Sequence, residues 1–241
     1  MNILVVNDDS IYAPGIELLA KAAASLGKVW VVAPAEQCSG MSHSITPGGA
    51  LRMKKVDDFP VPVEFAYKVY GTPADCVKVA LAYLLEEKPD FVFSGINNGF
   101  NVGSEIAYSG TAGAAMEALM NGIPAIAFSS AYDRPMTLAE KYIIPITKEL
   151  IEKEQNTKEI WNVNFPAIED DIPKGILYDR TIADVCLYSA EYQETIHTDG
   201  SISLDIVGLP LEDAKAAPDG SDVAAVLDGY ISIGKVRCSV L

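Results

Sequence analysis

The 241-residue sequence has few cysteines, few histidines and little positive charge. The four cysteines are far apart: Cys38, Cys76, Cys186 and Cys238. With no C-x-x-C pair, and only His43 and His197 to join them, neither a zinc site nor a disulfide framework is indicated. Lys and Arg number 18 against 33 acids, a formal net charge of −15. Because Lys and Arg supply the affinity for polymeric nucleic acid and for anionic lipids, partners of both kinds are disfavoured.

Long apolar segments are also missing. No apolar segment approaches the roughly 20 residues that a membrane-spanning helix requires. The start of the chain, residues 1–6, lacks the basic residues and the long apolar stretch of a signal peptide. Free thiols fit a reducing compartment. We therefore expect a cytoplasmic protein with no membrane partner.

Three motifs of common α/β enzymes are absent. No G-x-G-x-x-G follows the first apolar segment, and no G-x-x-x-x-G-K-[ST] occurs, so the usual dinucleotide and ATPase loops are excluded. No G-x-S-x-G is present either, which argues against a serine hydrolase of the α/β type.

What the sequence does contain is an alternation of short apolar segments with helical patterns. Strands are predicted at 3–6, 29–33, 91–93, 125–128 and 161–165, and helices at 14–26, 73–87, 111–121 and 138–154. The alternating residues of 61–69 suggest an antiparallel excursion. This order predicts a Rossmann-like α/β fold, in which a mostly parallel sheet is the middle of three layers.

The last third of the sequence has a different pattern. We assign residues 1–170 to a catalytic core and 171–241 to an extension of the same domain. Extended hairpins and loops are predicted there, followed by a returning strand at 230–233. Tyr188, Tyr192 and Ile196 favour pairing with another copy of the chain, or a hairpin that folds back on its own core.

Polar residues follow the predicted strands. Asp8 and Asp9 come directly after the first strand, where two adjacent carboxylates repel each other. A divalent cation would hold them charged, since hard cations prefer oxygen ligands. The alternative is a turn in which an Asp or Ser caps the next helix. Ser39 and Gly40 follow the second strand, either as an anion-binding turn or as an ordinary connection.

Segment 94–103 follows the third strand and contains three Asn and three Gly. It demands turns with positive φ, with or without a ligand. Two predicted helix starts, at 70–73 and 108–113, place small or hydroxylated residues before a helical pattern. Such starts attract phosphate through free N–H groups, although simple capping by Ser or Thr explains them equally.

Taken in order, these segments resemble the survival protein SurE family of metal-dependent nucleoside-monophosphate phosphatases. The motifs that carry the resemblance are N-D-D with A-P-G-I (7–16), V-A-P with S-G-x-S (32–42), G-T-P-x-D-C (71–76), S-G-I-N-x-G-x-N-x-G (94–103), Y-S-G-T-x-x-A-A-M-E (108–117), N-x-N-x-P (162–166), G-x-D (220–222) and G-Y-x-S-I (229–233). Each motif is weak, but the ordered set covers nearly the whole chain and is specific.

The resemblance implies hydrolysis of nucleoside 5′- and 3′-monophosphates. The implied ligands of one Mg²⁺ or Mn²⁺ per subunit are Asp8, Asp9, Ser39 and Asn97. The implied phosphate-binding residues are Asn101, Ser109, Gly110 and Thr111. Asp8 and Asp9 would also be catalytic, one of them as general base. A homodimer or homotetramer is implied as well.

Two residues depart from the family pattern, and rival functions stay open. Ser10 replaces the usual Gly, and Ser221 replaces the usual Thr. The rivals are a phosphatase acting on polyphosphate or another small ester, and a non-catalytic nucleotide or metal-binding module. A covalent aspartyl-phosphate route is a further alternative, although adjacent Asp residues lack the usual D-x-D spacing.

Overall fold

Continuous apolar segments form the inner strands of one large sheet. In the computed structural model, which describes residues 1–169, 172–185, 187, 192–206 and 217–241, the strands are β1 (Asn2–Val6), β2 (Lys28–Pro34), β3 (Arg52–Lys55), β4 (Phe65–Tyr70), β5 (Phe91–Asn98), β6 (Ala125–Ser130), β7 (Glu159–Phe165), β8 (Ile176–Arg180), β9 (Tyr192–Ile196), β10 (Ile202–Ile206) and β11 (Ile231–Arg237). Nine of them form a sheet in the order β3-β4-β2-β1-β5-β6-β7-β11-β8. Strands β4, β2, β1, β5, β6 and β7 are mutually parallel.

Helices cover both faces of this sheet. They are α1 (Pro14–Ala24), α2 (Pro73–Val79), α3 (Gly110–Met120), α4 (Thr137–Glu152) and α5 (Asp222–Leu227). A π-helical segment (Ala80–Leu84) continues α2, and a 3-10 helix (Gly103–Tyr108) precedes α3. Helices α1 and α4 pack on one face through side chains such as Leu19 and Ile146. Helices α2 and α3 pack on the other through Val77 and Ala115. The three-layer, mostly parallel prediction is confirmed.

Strand β4 differs in part from its sequence prediction. It pairs parallel with β2 and antiparallel with β3. Its burial does not follow the alternation of the sequence: Ala66 and Val69, which lie on opposite faces of the strand, are both buried. Val61 and Val63 precede the strand.

Helix α5 was not expected from the sequence. Ser221 caps it, since its Oγ accepts a hydrogen bond from Ala224 N at 3.2 Å. The Asp222 carboxylate accepts from the backbone N–H groups of Gly103 and Ala183, both at 2.9 Å. These bonds attach α5 to the loop that follows β5. Burial raises the pKa of Asp222, and the backbone hydrogen bonds oppose that rise.

The predicted hairpin is present as β9 and β10, which pair antiparallel with Ile196 opposite Ile202. Its apolar side chains are exposed: Tyr192 by 61%, Ile196 by 69% and Leu204 by 57%. Tyr188 lies outside the described residues. Strands β8 and β11 join the main sheet, and the division of the chain at residue 170 stays a prediction. Within the described ranges, no helix is long and apolar enough to cross a membrane.

Candidate active site

The carboxyl ends of the parallel strands bring the predicted site residues to one edge of the sheet. Asp8 and Asp9 follow β1, Ser39 follows β2, and Asn97 lies near the end of β5. Since β1 lies between β2 and β5, these three strand ends are neighbours. Ligands of open α/β sheets bind at this edge.

Asp8 is buried against the start of α3. Thr111 Oγ1 donates to Asp8 Oδ1 at 2.6 Å, and Cys38 N donates to the Asp8 carbonyl oxygen at 2.7 Å. Only 3% of Asp8 is exposed. Burial raises the pKa of its carboxyl to about 6, hydrogen bonds from Thr111 oppose the rise, and the charge of Asp9 adds to it. No Lys or Arg among the described residues contributes to this shift of the pKa, so hydrogen bonds alone oppose the effect of burial.

Asp9 lies at the boundary between this buried site and solvent. Its Oδ2 accepts from Asn98 N at 2.9 Å. Burial raises the pKa of Asp9, and the Asn98 hydrogen bond opposes the rise. Asp9 and Asn98 also line an open cleft of about 900 Å³ between α1 and the loop before α4. Of the two adjacent carboxylates, Asp9 is therefore the one that faces the cleft.

Ser39 and Asn97 supply neutral oxygens beside the carboxylates. The neighbour of each contacts the Asp pair: Cys38 through the bond to the Asp8 carbonyl, and Asn98 through the bond to Asp9. Ser39 is exposed, and its Oγ accepts from Gln37 Nε2 at 2.9 Å. Asn97 Nδ2 donates to the Gly99 carbonyl at 2.8 Å, which leaves its Oδ1 for another partner.

The four oxygen-bearing residues fit a hard divalent cation better than zinc. Among the described residues, no three His, Cys, Asp or Glu side chains cluster as metal ligands. A metal at this edge would therefore need the hydroxyl of Ser39 and the amide oxygen of Asn97 beside the two carboxylates. Such an all-oxygen set suits Mg²⁺ or Mn²⁺. The burial of the Asp8 carboxylate beside a second acid is consistent with a cation at this position.

The start of α3 lies directly against Asp8. Ser109 caps the helix, because its Oγ accepts from Ala112 N at 3.0 Å. Gly110 permits the close approach: a Cβ there would lie 2.9 Å from Asp8 Cβ and 3.0 Å from Asp8 Oδ2. The positive end of the helix dipole is thus directed at the carboxylate edge, where it favours negative charge. The structure thus brings Gly110 and Thr111 against Asp8, with Ser109 at the cap of the same helix; that these three residues bind phosphate stays a prediction.

Asn101 lies deeper than the other predicted residues. It is 4% exposed, and its Nδ2 donates to Ser129 Oγ at 2.8 Å. Its backbone bonds to Asn162 and Asn164: the Asn101 N–H donates to Asn164 Oδ1 at 2.9 Å, and its carbonyl accepts from Asn162 Nδ2 at 2.8 Å. This network fixes the loop after β5. The two asparagines of the N-x-N motif therefore hold the loop after β5 in place.

The predicted anion site at the start of α2 has a structural explanation. Thr72 and Asp75 form a reciprocal capping box. The Asp75 carboxylate also accepts from the Thr46 backbone and hydroxyl, at 3.0 and 2.7 Å. Although burial opposes it, these bonds lower the pKa of Asp75. The helix start thus holds the chain after Ser39 in place.

A second contact on this chain segment was missed in the sequence. His43 Nε2 lies 2.9 Å from Glu117 Oε2, and Ser42 Oγ donates to the Ala107 carbonyl at 2.7 Å. The His43 hydrogen bond, with help from the Lys78 charge, lowers the pKa of Glu117. We call residues 38–46 the Ser39 loop; these contacts hold it against α3. The only signal in the sequence was Glu117, an acidic residue within a helix of mostly small, apolar residues.

Comparison with known proteins identifies the family of the chain. A model of the family described as "Survival protein SurE" matches residues 3–185. The chain belongs to this family. "5'-nucleotidase SurE" of Alkaliphilus metalliredigens (strain QYMF) is 40% identical over 98% of the chain and 92% of that protein. The protein of the same name from Aquifex aeolicus (strain VF5) is 39% identical over 95% of the chain and 89% of its own length.

A solved SurE structure shares the fold. The crystal structure of the Sure protein from Aquifex aeolicus superimposes with a TM-score of 0.83 at 37% identity, covering 98% of this chain and 93% of that one.

Ser10, the departure from the SurE motif beside Asp9, has a backbone that favours glycine. Its φ is 97°, and its carbonyl accepts from Ala13 N at 3.2 Å. A side chain in this left-handed region costs about 1–2 kcal/mol. The turn therefore explains why Gly is usual at this position without assigning the residue a chemical role.

Proposed function

We propose that the chain is a metal-dependent phosphomonoesterase that hydrolyses nucleoside 5′- and 3′-monophosphates to nucleoside and phosphate. The observation that carries the proposal is the burial of Asp8 between the Asp9 carboxylate and the start of α3. This arrangement couples a cation-binding pair to a helix start suited to phosphate. The 5′-nucleotidase names of the SurE relatives support the same substrate class.

Asp8, Asp9, Ser39 and Asn97 would hold one Mg²⁺ or Mn²⁺ per subunit. When bound, the metal polarises a phosphoryl oxygen and lowers the pKa of water. The negative charge of the chain makes this cation necessary, because a phosphate meets the repulsion of both Asp residues without it.

The other steps of hydrolysis would be carried out by side chains and backbone groups of the protein. Asp9 faces the cleft and would accept the proton of the attacking water as general base. Asp8, fixed by Thr111, would hold its position on the metal. The positive end of α3, with Ser109, Gly110 and Thr111, would stabilise the charge that develops on the transferred phosphoryl group. For Asn101 to contact phosphate, its amide must exchange the Ser129 hydrogen bond for one to the ligand.

A panel of phosphate esters tests the function. With Mn²⁺ or Mg²⁺, we expect phosphate release from nucleoside 5′- and 3′-monophosphates to exceed release from glycerol 2-phosphate and from polyphosphate, and EDTA to abolish it. The measurement is kcat/KM for each ester from the rate of phosphate release.

Equal rates on every ester would contradict the nucleotidase proposal and leave a general phosphatase. Preference for polyphosphate would favour the polyphosphatase alternative. Nucleotide binding without phosphate release would favour the non-catalytic module. Undiminished rates in EDTA would contradict metal dependence.

We also propose that the chain forms a homodimer or homotetramer. The exposed apolar residues of the β9–β10 hairpin, Tyr192, Ile196 and Leu204, are the supporting observation, since exposed apolar hairpins favour pairing with another chain. Light scattering should give a dimeric or tetrameric mass, and replacing Ile196 and Leu204 by Ser should lower it. A monomeric mass for the unaltered protein at micromolar concentration would contradict the proposal.

A further inference from the structure

The cleft beside Asp9 is larger than hydrolysis of a bare phosphate group requires. Its volume of about 900 Å³ lies near the upper end of the 300–1,000 Å³ typical of small-molecule sites. One wall is the start of α1, with Pro14 and Leu18, and the other is the loop that carries Arg134 and Met136. Both walls combine apolar surface with a few polar groups. The space therefore suits an organic group attached to the phosphate.

The charges of the cleft restrict what this group can be. Four carboxylates line it, those of Asp9, Glu17, Asp133 and Glu140, against the two cations Lys21 and Arg134. Lys21 Nζ lies 3.4 Å from Glu140 Oε1, so that the two charges partly neutralise each other. Further phosphates in this acidic cleft would meet repulsion, whereas a neutral nucleoside would not. The cleft therefore favours nucleoside monophosphates over chains of phosphate.

Arg134 is the cation that remains available. It is exposed on the loop, and in the part of the chain that the structure describes it forms no ion pair. A guanidinium is planar and can stack on an aromatic face or donate to the edge of a nucleobase. A cation held by a carboxylate would be poorly placed for either contact.

The loop is connected to the reacting end of the cleft. Asp133 N donates to Asn98 Oδ1 at 3.0 Å, and Asn98 N donates to Asp9 Oδ2 at 2.9 Å. Two successive hydrogen bonds thus fix Asp133, the neighbour of Arg134, relative to the carboxylate that would serve as general base. A substrate with its phosphate at Asp9 would extend its nucleoside along this loop.

We propose that this cleft holds the nucleoside of the substrate and that Arg134 contacts the base. The proposal rests on the function proposed above and adds the site that separates nucleotides from other phosphate esters. Arg134 is a specificity residue: it binds the part of the substrate that does not react.

Two measurements test the proposal. First, a free nucleoside should inhibit hydrolysis of glycerol 2-phosphate competitively in the unaltered protein. Second, Arg134→Ala should lower the ratio of kcat/KM for a nucleoside monophosphate to that for glycerol 2-phosphate by about tenfold, the loss expected for one contact of a charged group. Arg134→Lys should recover part of the ratio if charge matters, and little of it if stacking dominates.

Lys148→Ala is the matched control. Lys148 is exposed on α4, the helix that follows the Arg134 loop, and lies about 16 Å from the start of that helix. The variant therefore removes a positive charge near the cleft but outside it. This variant should keep the unaltered ratio. Because Arg134 is exposed on a loop, its replacement should leave the unfolding temperature near that of the unaltered protein.

Two results would overturn the assignment: no inhibition by nucleoside, or an Arg134→Ala ratio equal to that of the unaltered protein. If the ratio is unchanged because kcat/KM falls equally on both esters, Arg134 acts on the phosphate. Failure of the proposed function is distinct. It appears in the unaltered protein, as an absence of nucleotide hydrolysis, before any variant is compared.

Discussion

Asp8→Asn should abolish hydrolysis and at the same time make the metal-free protein more stable. The activity loss should exceed about a hundredfold, because the variant removes a carboxylate from the cation-binding pair and leaves Asp9 alone. The stability gain follows from burial. At neutral pH the metal-free protein must keep a charged carboxylate that is 3% exposed and next to a second acid, whereas the Asn amide carries no charge.

The sign of this stability change follows from the pKa of Asp8, which burial raises from its ordinary 3.8 to about 6. The folded protein therefore binds this proton more tightly than the unfolded chain does. The stabilisation from the protonated form is complete below pH about 4 and is lost as the pH rises through about 6. Above that pH the carboxylate costs on the order of 2–3 kcal/mol in the metal-free state, and Asp8→Asn should recover much of this cost.

Urea unfolding in EDTA at pH 5 and pH 7.5 measures the effect. Asp8→Asn should show a larger gain over the unaltered protein at pH 7.5, and Mn²⁺ should raise the unfolding temperature of the unaltered protein far more than that of the variant. Asp184→Asn, which neutralises an exposed carboxylate, is the control and should change little. Equal stabilisation of the variant and the unaltered protein by Mn²⁺ would contradict the assignment of Asp8 as a metal ligand.

The inner strands and the site edge could be predicted because each depends on local sequence. A buried parallel strand is a continuous apolar segment, as in residues 3–6, and the carboxyl ends of such strands share an edge. The polar residues after three strands, Asp8, Ser39 and Asn97, therefore converge without any need to know how the helices pack.

Contacts between distant parts of the chain could not be predicted from the sequence. The Thr111–Asp8 bond joins residues 103 positions apart, and the His43–Glu117 contact joins residues 74 apart. Each depends on the position of α3 over the sheet, which periodicity does not specify. Arg134 was missed for a different reason: an exposed Arg on a loop has no sequence pattern of its own.

Helix α5 was missed because it is short. Six residues give less than two turns, too few for an apolar periodicity to stand out. The capping residue Ser221 was a usable signal, but it was interpreted only as part of a motif. Strand β4 was predicted as part of an antiparallel excursion, and it is antiparallel to the edge strand β3 but parallel to β2; alternation in the sequence does not distinguish the two pairings.

Gly113→Ala should reduce activity by about a hundredfold, although Ala normally favours a helix. In an ordinary helix interior, Ala is about 1 kcal/mol more favourable than Gly. At Gly113 the added Cβ would lie 2.4 Å from the Ser42 carbonyl oxygen and 2.9 Å from His43 Cα. Both atoms belong to the backbone of the Ser39 loop, which cannot rotate away as a side chain can.

The loop must therefore move by about 1 Å to reach ordinary contact distance. That movement would strain the bond from Ser42 N to the Tyr108 carbonyl, now 2.9 Å, and the His43–Glu117 contact. Ser39 lies three residues before Ser42, so its hydroxyl would shift relative to Asp8 and Asp9. A misplacement of about 1 Å can cost a hundredfold in rate, and overpacking should cost about 1–3 kcal/mol of stability.

Kinetics at several Mn²⁺ concentrations separate displacement of the Ser39 loop from general unfolding. A displaced Ser39 should weaken Mn²⁺ affinity, so that high Mn²⁺ restores part of the Gly113→Ala activity. Gly48→Ala, where an added Cβ meets nothing within 4 Å, should retain full activity. His43→Ala loosens the same contact without adding bulk and should shift the Mn²⁺ dependence in the same direction, even if Gly113→Ala folds poorly. Unaltered Mn²⁺ dependence in both variants would mean that hydrolysis does not depend on where α3 holds the Ser39 loop.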